Sequence, residues 1–190
     1  MRSPLLPRLL LASAFFTFIQ AEICRTAPGG ILPIKEDCVE FVDALVEISR
    51  LPSQRQPKTW GRELPSNPAA LTEHLPKLYW IRYRPHGPTT CGAQLDVDPR
   101  QPLAVETFGL IDVANAAEGI LDLCLSRRGM LGMQRLGSGR RVEAKLVRVD
   151  NGNFLNKGRG VLQKLGTTRR GGVIWSWEVG NGTGIARSQS

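Results

Sequence analysis

The stretch that decides the fold begins Cys91-Gly-Ala-Gln-Leu-Asp-Val-Asp98 and ends at Gly129. Its first eight residues include the alternation of apolar and polar side chains that is typical of a strand with one buried face. After a proline-containing turn, residues 103–108 form a second predicted strand. Residues 112–127 then place apolar side chains three and four positions apart, which predicts a helix that carries Cys124. The stretch therefore predicts two strands followed by a helix.

Other segments on either side continue this pattern. Asp37 and Glu40 resemble a capping box at the start of a helix whose apolar face includes Cys38. Residues 77–84 are rich in aromatic and β-branched side chains, and residues 141–149 alternate, so both are predicted strands. We predict an α+β fold: a two-layer sandwich in which an antiparallel sheet of four or five strands has two helices on one face.

The first 21 residues have the composition of a secretory signal peptide. Arg2 and Arg8 form a basic segment, residues 9–19 form an apolar run of eleven, and Ala21 is a small residue suited to cleavage. The run is shorter than the roughly 20 apolar residues that a membrane-spanning helix needs. We therefore predict an extracellular protein that is cleaved after Ala21, rather than one held by an uncleaved signal anchor, and no stable membrane span.

The formal net charge of +8 is distributed unevenly along the chain. Residues 22–150, the predicted secreted domain, have 17 basic and 16 acidic side chains, so no nucleic-acid partner is expected for this domain. Residues 151–190 have six basic side chains, one acidic side chain and nine glycines. Only residues 172–179 of this segment resemble a strand. We predict a flexible basic tail, and an artefact of gene prediction is the alternative explanation.

All four cysteines, Cys24, Cys38, Cys91 and Cys124, follow the predicted signal peptide, and their even number predicts two disulfides. Their spacing contains no Cys-x-x-Cys pair, so we predict neither a metal site nor a cofactor. If the second helix runs back along two antiparallel strands, Cys91 and Cys124 lie at opposite ends of the layer, which disfavours a bond between them. We prefer Cys24 with Cys124 and Cys38 with Cys91, over a bond between Cys24 and Cys38.

Few side chains suggest catalysis. A Ser-His-Asp or Cys-His site needs a positioned histidine, but His74 and His86 lie near prolines in predicted loops. Asp96 and Asp98 share the predicted exposed face of one strand and could act as paired glycosidase carboxylates. The alternative is that both aspartates are solubilising surface charges, so we predict no catalytic residues.

Three aromatic residues suggest an alternative function. Trp60 lies in an irregular, proline-rich connection at residues 51–76, where it either binds a ligand or holds the loop against the core. Tyr79 and Trp80 lie in the strand that follows. Together with the face of Asp96 and Asp98, these aromatics would suit an extracellular enzyme or a carbohydrate-binding module.

A series of short motifs resembles a group of uncharacterised small secreted proteins of filamentous fungi, over roughly residues 24–150. The helix that starts at Asp37-Cys38, the strand that starts at Cys91 and the helix that starts at Asp112-Val113 are also similar to parts of fungal killer-toxin-like and necrosis-inducing effectors. Those effectors are α/β sandwiches. The chain lacks the additional cysteines of the killer toxins, and neither resemblance implies catalytic residues. The motifs are Asp37-Cys38, Lys58-Thr-Trp-Gly-Arg62, Leu75-Pro-Lys-Leu-Tyr-Trp80, Thr90–Asp98, Asp112-Val-Ala114 and Leu123-Cys124.

These observations favour a secreted, non-enzymatic, effector-like interaction protein as the function. The expected partner is an extracellular protein or a cell-surface glycan, and the expected oligomeric state is a monomer. Asn181 begins the one Asn-x-Thr glycosylation sequence in the chain and is the predicted modification site.

Overall fold

The computed structural model describes residues 23–26, 31–64, 71–83, 87–149 and 160–179. Within these residues the chain forms ten strands and two α-helices, with a short 3-10 helix at Pro52–Gln54 and a π-helical turn at Leu121–Ser126 that continues the second helix. The helices are α1 (Lys35–Ser49) and α2 (Leu110–Ile120). The strands are β1 (Ile23–Arg25), β2 (Lys58–Gly61), β3 (Thr72–His74), β4 (Lys77–Tyr83), β5 (Gly87–Val97), β6 (Val105–Phe108), β7 (Leu131–Leu136), β8 (Val142–Arg148), β9 (Gly160–Thr167) and β10 (Val173–Val179).

Seven strands form one antiparallel sheet in the order β1-β7-β8-β5-β4-β10-β9. The predicted pairing of residues 77–84 with the strand that begins at Cys91 is confirmed, because β4 and β5 are antiparallel neighbours. The α+β class is confirmed as well, but a sheet of four or five strands is wrong. The sheet is larger because it also includes the short edge strand β1 and the two C-terminal strands.

The C-terminal strands correct the predicted flexible tail. β10 pairs with β4 from Val173 opposite Arg82 to Glu178 opposite Lys77, and β9 pairs with the other side of β10. Residues 160–179 are therefore part of the main sheet, and a domain boundary at residue 150 would separate strands of one sheet. Glycine interrupts the sequence pattern of β9, but the backbone hydrogen bonds of a sheet do not require an alternating side-chain pattern.

The remaining three strands form a small sheet in the order β3-β2-β6. β2 and β3 are parallel and lie in the connection that was predicted to be irregular, whereas β2 and β6 are antiparallel. The predicted strand at residues 103–108 therefore exists as β6, but it does not join β5 in the main sheet. A four-residue strand carries too little pattern to specify its partner, so the pairing was decided by packing.

The two helices supply much of the hydrophobic core, and their predicted apolar periodicity is confirmed. The start of α1 differs from the prediction: the helix begins at Lys35, and the Asp37 carboxylate accepts hydrogen bonds from the backbone N–H and the hydroxyl of Thr90 at 2.8 and 2.6 Å. Asp37 thus connects α1 to β5 instead of capping its own helix. The buried residues of the helices are Cys38, Phe41, Val42, Ala44, Leu45, Ile48 and Ser49 in α1, and Leu110, Val113, Ala114, Ala116, Ala117 and Ile120 in α2.

Two disulfides join these layers. Cys38 of α1 is bonded to Cys91 of β5, and Cys24 of β1 is bonded to Cys124 beyond α2. Gly132 lies opposite Cys24 in the β1–β7 register, and a side chain there would overlap Cys124, so the glycine allows the π-helical turn to approach the sheet edge. The bonds join the cysteines in the preferred pairing, although the strand arrangement from which that preference was argued is wrong.

Several predictions fall outside the described residues. The predicted signal peptide at residues 1–21, His86 and Asn181 are among them. In the part of the chain that the structure does describe, neither helix is both long enough and apolar enough to cross a bilayer.

Candidate functional site

The first candidate carboxylate, Asp96, forms an ion pair with Arg62 at the end of the small sheet. Arg62, which directly follows β2, donates from Nη2 to both Asp96 oxygens at 3.0 and 2.9 Å, and from Nε to Oδ1 at 3.1 Å. The Asp96 Oδ1 atom also accepts the backbone N–H of Val97 at 2.8 Å. A bidentate arginine contact fixes the orientation of a carboxylate. Asp96 therefore links the two sheets.

The second candidate carboxylate, Asp98, is not on an exposed face. It lies just beyond β5, is buried, and accepts a hydrogen bond from Nη2 of Arg135 at 2.8 Å. Its other oxygen accepts the backbone N–H of Arg100 at 2.9 Å, as expected for an aspartate that begins a turn. The prediction that Asp96 and Asp98 share a solvated face is wrong because the strand ends at Val97 and the chain turns there.

The candidate aromatic residues are mostly internal. Trp60 is fully buried, stacks on Phe108 with 4.8 Å between ring centroids, and donates its indole N–H to the Phe108 carbonyl at 3.0 Å. This arrangement holds the predicted loop against the core. Tyr79 is also buried, whereas Trp80 is half-buried. The structure therefore brings none of these three side chains together with Asp96 and Asp98 on a common open surface.

A group of charged and hydroxyl-bearing side chains joins the small sheet to the large one, and we call it the inter-sheet cluster. It consists of Lys58, Glu73, Lys77, Tyr79, Ser176 and Glu178. Glu73 of β3 forms ion pairs with two lysines: one oxygen lies 2.5 Å from Nζ of Lys58, and the other contacts Nζ of Lys77. Glu178 of β10 approaches the Lys77 ammonium to 3.7 Å. The two lysines and two glutamates balance in charge.

Tyr79 and Ser176 complete the cluster on the β4–β10 pair. They are direct register partners, so their side chains lie on the same face, next to the partners Lys77 and Glu178. Ser176 is buried, and among the described residues its hydroxyl oxygen has no hydrogen-bond partner. The Ser176 hydroxyl therefore lies close to the charged side chains of the inter-sheet cluster without a hydrogen bond to them.

Burial shifts the proton affinity of three members of the cluster. It lowers the pKa of Lys77 from 10.5 to about 8, with the Lys58 ammonium acting in the same direction and Glu178 opposing it. Burial lowers the pKa of Lys58 as well, and it raises the pKa of Tyr79 well above 10, with a further increase from the Glu178 charge. The cluster can therefore exchange a proton at Lys77 in mildly alkaline solution.

The position of the cluster indicates a structural role. The Lys77 side chain is 1% exposed and that of Glu73 is 9% exposed, so a substrate has no direct contact with the ion pair. Within the described residues, no three histidine, cysteine or acidic side chains are grouped in a way that could hold a metal ion. His74 is exposed on β3 and all four cysteines are in disulfides.

A third polar contact between the sheets involves Glu106 of β6. This buried carboxylate accepts the backbone N–H of Gly139 at 3.1 Å in the turn between β7 and β8. Side chains at Gly137 or Gly139 would overlap the Glu106 carboxylate. Both glycines are therefore needed for the carboxylate to insert into the turn.

The sequence-based prediction missed the inter-sheet cluster, although one signal was present. Lys77 is in phase with Tyr79 and Ile81, the alternation that becomes the buried face of β4. A lysine in a buried register requires a partner. Glu178 could not be identified as a partner because β10 is not predicted beside β4, and Glu73 lies in the connection that is predicted to be irregular.

No family model, curated protein or solved structure matches this chain.

Proposed function

We propose that this is a secreted, non-enzymatic interaction protein that acts outside the cell in the manner of an effector. The apolar run at residues 9–19 supports secretion. Two disulfides are compatible with an oxidising extracellular compartment. The proposed partner is an extracellular protein or a cell-surface glycan, bound by the monomer.

The observation that carries this proposal is the use of the candidate active-site residues inside the fold. Asp96 and Asp98 each accept hydrogen bonds from an arginine, and Trp60 and Tyr79 are buried. A general acid or base must reach the proton that it transfers, and a stacking aromatic must expose its face. These side chains instead connect layers of the protein, which favours a function that uses the outer surface.

The proposed arrangement of the layers is consistent with a rigid scaffold. We propose that both helices lie on one face of the large sheet. This is supported by contacts of α1 with β5, of α2 with β7 and β8, and of the helices with each other. The disulfides cross-link chain segments separated by 53 and 100 residues, and such bonds limit the unfolded state most when the closed loop is long.

The proposal can be tested by expressing the full-length chain in a secreting eukaryotic host. We expect the medium to contain oxidised protein whose N-terminal residue is Glu22. We also expect it to capture a specific protein or glycan from an extracellular extract, and capture should be lost after reduction and alkylation. Retention in the cell, or turnover of an extracellular polysaccharide into new reducing ends, would contradict the proposal.

One observation favours a second candidate function, a neutral carbohydrate-binding module. Trp80 of β4 and Trp175 of β10 are direct register partners and both are half-buried, so their indole rings lie on the same face. If this pair stacks on sugar rings, soluble neutral polysaccharide should change the tryptophan fluorescence, and the W80A/W175A variant should lose that change. An unchanged spectrum across a panel of neutral polysaccharides would exclude this candidate.

A further inference from the structure

Four arginines form an exposed basic surface where α1 ends and where β9 turns into β10. We call it the arginine patch, and it consists of Arg50, Arg55, Arg169 and Arg170. The two turn residues, Arg169 and Arg170, belong to the segment that the sequence predicts to be a flexible basic tail. Because β9 and β10 are strands of the main sheet, this charge instead lies on the surface of the folded protein.

The contacts between the two halves of the arginine patch run through the last turn of α1. Glu47 accepts the backbone N–H of Arg169 at 2.8 Å. Gly166 of β9 packs against Ile48, where an added side chain would overlap the isoleucine. Arg50 follows Glu47 by three residues, which places the two side chains near one another on the helix surface. The Nε atom of Arg55 donates to the Arg50 carbonyl at 2.8 Å.

The turn that presents Arg169 and Arg170 is held by its own hydrogen bonds. Thr168 is buried, and its hydroxyl oxygen accepts the backbone N–H of Gly172 at 3.0 Å. The backbone N–H of Thr168 donates to the Gly172 carbonyl at 2.8 Å, and Gly171 has a φ of 82° that suits glycine. A fixed turn lowers the entropy lost when its side chains bind a partner.

Most of the patch's charge is not neutralised by the protein. In the described part of the chain, Glu47 is the one carboxylate that the structure pairs with the four arginines, and its distance to Nε of Arg169 is 3.9 Å. The Glu47 oxygen is already used by the backbone N–H of Arg169, and the Arg169 side chain is 95% exposed. Part of the charge complements the negative end of the α1 dipole, but four cations exceed that requirement.

We propose that the arginine patch binds an acidic polysaccharide through its carboxylate or sulfate groups. This inference rests on the proposed extracellular function and names its partner class. Arginine binds such groups with paired, charge-assisted hydrogen bonds. The segments that carry the patch, residues 49–56 and 168–172, contain no aromatic residue. Stacking on neutral sugars or on nucleic-acid bases therefore has no basis there.

The same segments favour a polysaccharide over a membrane surface. Interfacial membrane binding requires apolar side chains that enter the boundary of the acyl chains. The tip of the β9–β10 turn consists of Thr168, Arg169, Arg170 and Gly171, and the threonine is buried. This tip offers charge without an apolar anchor, and Leu51, the large apolar side chain of residues 49–56, is 37% exposed but lies beside Gly166 of β9.

The test compares two double variants of the secreted full-length protein that lose the same charge. R169S/R170S removes two arginines of the patch, and the turn's hydrogen bonds are retained because they use backbone atoms and Thr168. R127S/R128S removes two exposed arginines beyond α2 and is the matched control. Binding is measured on immobilised polygalacturonate, which carries carboxylates, on heparin, which carries sulfates, on neutral dextran and on phosphatidylserine vesicles.

We expect the unaltered protein to bind polygalacturonate or heparin in a salt-sensitive manner and not to bind dextran. R169S/R170S should bind about tenfold more weakly, and R127S/R128S should change binding by less than about twofold. Binding to polygalacturonate would show that carboxylates suffice, whereas binding to heparin, which carries carboxylates as well as sulfates, without binding to polygalacturonate would show that sulfates are required. If R169S/R170S is poorly secreted, R50S, which alters the patch without altering the turn, should show the same direction of change.

Two results would overturn the inference: equal losses in both double variants, or no binding to either acidic polysaccharide, whether or not the protein binds vesicles. In each case, the capture experiment separates failure of this inference from failure of the proposed extracellular function. If the secreted protein still captures a different extracellular partner, only the inference about the arginine patch fails. If it captures nothing at all, the proposed interaction function fails too.

Discussion

Replacing Lys77 with methionine tests whether the inter-sheet cluster contains a lysine that loses its proton on folding in mildly alkaline solution. Methionine keeps an unbranched side chain of similar length and removes the titrating amine. In the folded protein the pKa of Lys77 is about 8, against 10.5 for an exposed lysine. Each unit of pKa corresponds to about 1.4 kcal/mol, so the full effect is about 3 kcal/mol.

The sign follows from proton binding in the two states. Below pH 8 Lys77 is protonated in both states, so it adds no pH dependence. Between pH 8 and 10.5 the unfolded chain still holds the proton and the folded chain has lost it, so the free energy of unfolding rises with pH. Above about pH 10 Tyr79 acts in the opposite direction, because its raised pKa keeps the folded phenol protonated while the unfolded one ionises. Stability should therefore be greatest near pH 10.

The assay is guanidinium unfolding of the oxidised protein between pH 7 and 10, followed by tryptophan fluorescence. We expect the unfolding free energy to rise by about 2 to 3 kcal/mol across this range, and we expect K77M to lose most of the rise. A smaller rise should remain because burial also lowers the pKa of Lys58. Lys145 is a partly exposed lysine on β8, so K145M should keep the full slope. A flat profile in the unaltered protein, or the same slope in K77M, would refute the reasoning.

Three further predictions concern the fold. A chain that ends at residue 150 lacks β9 and β10 and therefore leaves β4 as an edge strand. We expect this truncated chain to show neither efficient secretion nor a cooperative thermal transition. A stable product that melts cooperatively would contradict the sheet order. G139A should lower the free energy of unfolding by about 1 to 3 kcal/mol, because the added methyl group overlaps the Glu106 side chain. The double variant G139A/E106A should recover part of this loss. Additive losses from the two substitutions would argue against the overlap. C38A/C91A should lower the unfolding free energy by about 4 kcal/mol, as expected for a cross-link over 53 residues, and an unchanged denaturation midpoint would show that this bond is dispensable.

The elements with strong local patterns could be predicted from the sequence. The apolar faces of α1 and α2 repeat at helical spacing over several turns, and Ala93, Leu95 and Val97 alternate along β5. Burial imposes these periods directly on the sequence, so they can be recognised without knowing the partner element. The number of disulfides could be predicted from the even number of cysteines, but four cysteines allow three arrangements, and the strand arrangement behind the preferred one is wrong.

The strand partners could not be predicted in the same way. β6 was expected beside β5 but pairs with β2, and β10 reaches β4 across about 90 residues of chain. A strand's hydrogen-bonding edge is the same whatever its neighbour, and short or glycine-containing strands such as β9 leave register weakly specified. The prediction for Asp96 and Asp98 is wrong for a separate reason: β5 ends at Val97, so Asp98 lies in the turn and not on the strand.

Sequence alone determined the fold class, the segments that form helices, the strand rich in aromatic residues and the number of disulfides, because each leaves a local periodic or compositional record. Tertiary structure decided which charges are used internally and which remain exposed. Glu73, Lys77 and Glu178 become a buried network when β3, β4 and β10 meet, whereas Arg50 and Arg169 become one surface when β9 packs near the end of α1. The physical reason is that an ionised side chain is stabilised or left available by its spatial neighbours, and neighbours such as Glu178 beside Lys77 or Arg169 beside Glu47 are distant in the sequence.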